Sequence, residues 1–125
     1  MERIFTLLGA AFMFISVGAG AFGAHGLRSY FAQHPGLSDT YETAVRYQMI
    51  HGLALFAAAW LISRFPGALP TWAGYLFTLG ILLFSGSLYI LVFTGIRWLG
   101  AITPLGGVAF LAGWACLFAA AWRGQ

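Results

Sequence analysis

Four long runs of apolar residues set what this chain can become. Residues 4–24, 72–94 and 99–122 carry no charged side chain, and residues 41–63 are apolar after a polar opening. A bilayer core about 30 Å thick needs about 20 helical residues to cross it. Each run is long enough, and together they use most of the chain. The runs are continuous rather than alternating over about 10 residues, which disfavours a membrane barrel.

Composition says the same. The protein has 125 residues, is 61% hydrophobic and 18% aromatic, and only 7% of its residues are charged. A soluble domain carries about 25% charged residues, so this one could not cover its surface in water. The sequence therefore predicts one all-α domain over residues 1–125, an integral membrane four-helix bundle. All six basic residues are Arg, and the net charge of +3 is spread without a run or stripe. No nucleic-acid partner is expected. Cys116 is the only cysteine. It can form no internal disulfide, and its apolar surroundings read as packing. No metal and no cofactor are expected. Arg3 and the small residues at 21–24 imitate a secretory leader, but the apolar run is longer than such a segment requires and reads as a retained helix.

The links are short. Residues 64–71, RFPGALPT, form a tight turn, and residues 95–98, GIRW, form a shorter one. Consecutive helices are then antiparallel. The longest link, 25–38, places Leu27, Tyr30, Phe31 and His34 on one helical face. A short interfacial helix is expected there, stopped by Pro35–Gly36. The second long helix reads as capped by Asp39, with Glu42 three residues on. For the fourth, Thr103–Pro104 fits either a helix start or a kink in a helix that begins near Leu99. Arg3, Arg64 and Arg123 flank one membrane face, and Arg28, Arg46 and Arg97 the other. If Arg46 lies inside its helix, the positive-inside rule puts both termini in the cytoplasm.

Small residues mark expected helix contacts. Ser16, Gly20 and Ala24 repeat at every fourth position, with Ala19 and Gly23 alongside. Ser85, Gly86 and Ser87 narrow the third helix, and Gly106, Gly107, Ala109 and Gly113 the fourth. The plain reading is packing; the sharper one is an intramembrane cleft or a subunit interface.

The segment YETAVRYQMIH at 41–51 holds most of the polar chemistry. Glu42 and Arg46, four apart, are expected to pair at the membrane surface. Thr43, Tyr47 and His51 form a separate stripe, with Gln48 beside His51. His51 lies roughly 18 Å along the helix from Asp39, at about 1.5 Å per residue. At that depth an ionisable group usually faces protein. Three readings compete: a neutral His51 bonded across helices; a pocket for a lipid, quinone or small molecule built from His25, Tyr47, Gln48, His51, Ser85, Ser87 and Tyr89; or a haem or metal site on His25 and His51. No phosphate loop, G-x-S-x-G or HExxH motif is present.

The segments GAFGAHGL at 20–27, YETAVRYQMIHGLAL at 41–55, GILLFSGSLYIL at 80–91 and ITPLGGVAFLAGW at 102–114 together resemble domain-of-unknown-function family 423. These are small bacterial membrane proteins with a eukaryotic relative, transmembrane protein 256. The resemblance covers all four helices in order. It implies a four-helix protein of the bacterial inner membrane and carries no activity, substrate or cofactor. Its pattern marks His25, Tyr47, Gln48, His51, residues 84–89 and residues 103–107. The expected role is non-enzymatic, an accessory or envelope-stabilising component in contact with the bilayer and with itself or a membrane-protein partner. The alternative is a binding or transport module centred on His51, and a lesser one is a haem-bearing electron carrier.

Overall fold

The computed structural model describes residues 1–124, and among them all regular structure is helical. Helix α1 runs over Glu2–His25, the short α2 over Arg28–Gln33, and α3 over Leu37–Arg64. The third rod is built of α4 (Leu69–Gly80), a π-helical turn (Ile81–Ser85) and α5 (Gly86–Thr94). A 3₁₀ turn at Arg97–Ala101 leads into α6, Thr103–Arg123. Four of these segments, Glu2–His25, Leu37–Arg64, Leu69–Thr94 and Arg97–Arg123, are long and apolar enough to cross a membrane. The fold is the expected four-helix membrane bundle, with a short helix between the first two spans.

The helix ends follow local chemistry, in part not as expected. Gly36 adopts φ 90, a left-handed conformation open to glycine, and α3 starts directly after it at Leu37. Asp39 therefore lies inside the first turn and caps nothing with its side chain. Its backbone carbonyl instead accepts from the Thr43 hydroxyl at 2.9 Å. The expected Asp39–Glu42 capping box is not formed. At the far end of the third rod, Gly95 takes φ 72 and donates its N–H to the Leu91 carbonyl at 2.8 Å, closing α5. The fourth span does not kink inside one long helix. Pro104 sits in the first turn of α6, where its missing N–H leaves no intrahelical bond unmade.

Helix α3 is the centre of the bundle. Antiparallel α1 lies along it, with Gly9 against the Gly52 carbonyl and Gly23 against the Tyr41 ring. The α4–α5 rod packs on another side of α3, and α6 packs mainly on α4 and the π turn. One apolar core joins Phe5, Leu55, Phe77, Ile81, Phe110 and Leu117. A second, toward α2, joins Leu27, Tyr41, Val45 and Val92. The outer surface is apolar: Phe14 is 82% exposed, Leu111 73% and Phe118 70%. Such a belt is stable against lipid and not against water. Trp60, Trp72 and Trp122 stand exposed at the end of the bundle that carries Arg64 and Arg123, with Trp98 beside Arg97 at the other. Tryptophan at both ends of apolar rods is the pattern of a membrane interface.

Candidate functional site

Among the described residues, five polar ones are buried: Ser16, Gln48, His51, Ser85 and Ser87. Helix periodicity decides where each points. Gln48 faces α1, where its Nε2 donates to the Phe12 carbonyl at 2.9 Å. The Ser16 hydroxyl donates to the same carbonyl at 2.7 Å. The Gln48 Oε1 accepts from the Tyr89 hydroxyl of α5 at 2.7 Å. Three membrane-spanning rods are thus fastened at one level by one amide. One turn earlier on α3, the Ala44 carbonyl accepts from Ser85 Oγ at 2.7 Å.

His51 faces away from α1, toward α6. Its ring lies parallel to Phe110, with centroids 3.5 Å apart and planes at 8°. Trp114 donates its indole N–H to Nε2 at 3.1 Å, and Nδ1 lies 2.8 Å from the Tyr47 carbonyl. An indole nitrogen can only donate and a carbonyl can only accept, so the proton belongs on Nδ1 and the ring is neutral. The Tyr47 ring packs on Phe84, 4.5 Å between centroids, and the residue is 37% exposed. Ser87 bonds Thr103 of α6 at 2.7 Å, which occupies the hydroxyl expected to cap that helix.

The residues expected to share one pocket are therefore divided. Gln48 and Tyr89 belong to the contact with α1, Ser85 to the contact between α3 and the π turn, and Ser87 to the contact between α5 and α6. Tyr47 and His51 pack against α6 and the π turn. His25 belongs to none of them. It is exposed at the end of α1, level with the entrance of α3 rather than with His51. Because Gly23 meets Tyr41 and Gly9 meets Gly52, the two histidines lie roughly 18 Å apart along the bundle, at about 1.5 Å per residue. One haem or metal ion cannot bridge them. No buried side-chain nitrogen or oxygen lacks a hydrogen-bond partner among the described residues.

Glu42 and Arg46 are exposed. The expected ion pair is not made: no charged contact within 4.0 Å joins them. Both line a groove of about 300 Å³ between α1 and the first turns of α3. The small residues divide in the same way. Ser16, Gly23 and Gly106 sit at tight contacts, whereas a Cβ on Gly20 would meet only Val45, at 3.7 Å, and one on Gly86 or Gly107 would meet nothing within 4 Å. Ala24 lines the groove and is exposed. Sequence reasoning missed Trp114 as the partner of His51, Thr103 as the partner of Ser87, and the Phe12 and Ala44 carbonyls as acceptors. It also missed the crossing glycines Gly9, Gly52 and Gly80. A histidine stripe on one helix marks that a partner is needed but not which helix supplies it.

These features define a small multi-pass membrane protein whose polar residues join helix to helix. Its sequence places it further. Residues 19–107 match the family described as "Protein of unknown function (DUF423)", and the chain belongs to that family. It is 51% identical over 119 residues to a UPF0382 membrane protein of Staphylococcus haemolyticus, covering 92% of each chain. It is 48% identical over 120 residues to a UPF0382 membrane protein of Bacillus subtilis, covering 95% of this chain and 96% of that one. A UPF0382 membrane protein of Staphylococcus aureus is 47% identical over 121 residues, covering 97% of both. No solved structure matches the chain.

Proposed function

We propose that the protein is a non-enzymatic structural component of the bacterial inner membrane, an accessory to envelope integrity rather than a catalyst. The observation that carries this reading is the complete pairing of the buried polar side chains among the described residues. Groups that chemistry would use are held by neighbouring helices instead. An enzyme site needs a nucleophile or base with a free valence toward a substrate. His51 has both ring nitrogens engaged, and Ser85 and Ser87 have engaged hydroxyls. Outward-facing small residues such as Gly18 and Gly107, with open space beyond them, leave room for a second copy or another membrane protein. Both termini lie in the cytoplasm in this reading: Arg3, Arg64 and Arg123 gather at their end of the bundle against Arg28 and Arg97 at the other, Arg46 lying within α3.

The test is complementation. In a strain lacking the protein, detergent resistance is measured alongside the amount of folded protein restored by each variant. Trp114→Phe and Gln48→Leu are expected to restore resistance in proportion to their folded amount. A variant that folds at the parental level yet fails to complement would overturn the reading and establish a chemical role. Topology is read separately, with alkaline-phosphatase and fluorescent-protein fusions at the C-terminus. Fluorescence without phosphatase activity is the expected result.

A further inference from the structure

We propose that the groove between α1 and the first turns of α3 binds the headgroup of a phospholipid that carries a primary ammonium. The Arg46 guanidinium takes the phosphate and the Glu42 carboxylate takes the ammonium.

The groove encloses about 300 Å³, at the low end for a ligand cleft. That is room for a headgroup and the first part of its chains, the remainder staying in the bilayer. Its floor is apolar and smooth: Gly20 and Ala24 from α1, Val45 and Met49 from α3. Glu42 and Arg46 are its only charged lining residues, one of each sign. They make no ion pair within 4.0 Å of each other, which leaves both head groups open to a ligand.

Their order is what selects the occupant. Helix α3 enters the membrane at Leu37 and runs inward, so Arg46 lies one turn deeper than Glu42, about 6 Å along the axis. Val45 lies beside Arg46, and Met49 extends the groove about one turn further inward. In order along α3 from the surface, the wall therefore carries the acidic Glu42, the basic Arg46 and the apolar Met49. A phospholipid with an ethanolamine headgroup reads ammonium, phosphate, hydrocarbon in the same direction, the nitrogen two carbons from the phosphate oxygen. Each charge meets its opposite. Guanidinium and phosphate suit each other in shape, and a primary ammonium offers a carboxylate three N–H donors. A choline headgroup has no N–H to donate to Glu42. A glycerol headgroup brings no cation to Glu42, so that carboxylate is left without a counter-charge near the phosphate. The groove is distinct from the Gln48 and His51 contacts, and its occupancy does not depend on the function proposed above.

The experiment uses the full chain in nanodiscs of dioleoyl-phosphatidylcholine doped with equal amounts of dioleoyl-phosphatidylethanolamine and dioleoyl-phosphatidylglycerol. Lipid retained on the protein after release is counted by native mass spectrometry. One phosphatidylethanolamine is expected to be retained in preference to each of the others by about tenfold, the scale of one charge-assisted hydrogen bond. Glu42→Gln is expected to erase the preference over phosphatidylcholine. Arg46→Gln is expected to weaken retention of all three. Gly20→Leu, at a position where an added Cβ meets only ordinary contact, is expected to abolish retention by filling the groove. A double variant, Glu42→Arg with Arg46→Glu, keeps the net charge, reverses the order and is expected to lose the preference. Each variant's detergent-unfolding midpoint is compared with the parent's, so that lost retention is read only from folded protein. Equal retention of the three lipids, a preference for phosphatidylglycerol, or an ethanolamine preference that survives in folded Glu42→Gln or Gly20→Leu would overturn the proposal.

Discussion

At the scale of single residues, the membrane changes what a hydrogen bond does. In lipid an orphaned polar group finds no water, yet measured interhelical bonds average only about 0.6 kcal/mol and reach about 1.7. Gln48 should stand near the top of that range, because its amide is bonded to two other rods at once. We predict that Gln48→Leu destabilises the bundle by about 1–2 kcal/mol in a steric-trap assay. Tyr89→Phe should cost less, and a double-mutant cycle should show the two coupled; additive losses would mean that the Tyr89–Gln48 bond contributes nothing. Trp114→Phe leaves the His51 Nε2 without its donor but keeps an aromatic ring against Phe77. A loss of about 0.5–1.5 kcal/mol is expected, and one above about 3 would contradict the local account. The sequence identifies His51 as a buried group that needs a partner, because its depth follows from helix rise alone. Trp114 could not be read the same way. Its pairing depends on the register between α3 and α6, which touch only narrowly and are not joined by a link.

At the scale of elements, backbone proximity separates the glycines that matter from those that do not. A Cβ on Gly106 would meet the Phe84 amide nitrogen at 2.5 Å and the Gly80 carbonyl at 2.9 Å, backbone atoms that cannot swing aside. Its neighbour Gly107 faces open space. We predict that Gly106→Ala costs about 1–3 kcal/mol, as overpacking does, while Gly107→Ala changes stability by less than about 0.5. Equal losses in a detergent-unfolding titration would refute this crossing. Spacing by four in α1 points to Gly20 as the close contact, yet the tight approaches to α3 are at Gly23, against the Tyr41 ring, and at Gly9, against the Gly52 backbone. A repeat of small residues gives a helix face but not the height at which two rods cross. The π turn at Ile81–Ser85 is equally invisible beforehand, since an ordinary apolar run spells it. It lies beside the Gly106 crossing, where Ser85 reaches Ala44 on α3.

At the scale of the whole molecule, length and hydropathy foretold four rods and their antiparallel order, because those depend on bilayer thickness and loop length, and the helical spacing of Leu27, Tyr30, Phe31 and His34 foretold the short helix between the first two. Which rod occupies the centre did not follow from either. Helix α3 holds that place, and α1 is an edge helix lying chiefly along α3. Chains divided at Pro35–Gly36 should therefore reassemble. We predict that residues 1–35 and 36–125, co-expressed as separate pieces, copurify through a tag on either one. Gly9→Leu in the first piece, which would drive a side chain into the Gly52 carbonyl and Phe56, should abolish recovery. Failure of the unmodified pieces to copurify would show that the α1–α3 contact depends on the intact link.

The edge position of α1 also bears on how the protein is made. This segment precedes α3 in the chain and so leaves the ribosome ahead of it. Its intramembrane hydroxyls are already quenched by its own backbone, Thr6 on Glu2 and Ser16 on Phe12. Its share of the later fastening is a carbonyl, which asks for nothing while it waits. Gln48, by contrast, finds its acceptor already embedded when it arrives. Nascent α1 thus presents no unpaired span hydroxyl to the acyl tails, and the order of synthesis is also the order in which the fasteners can close.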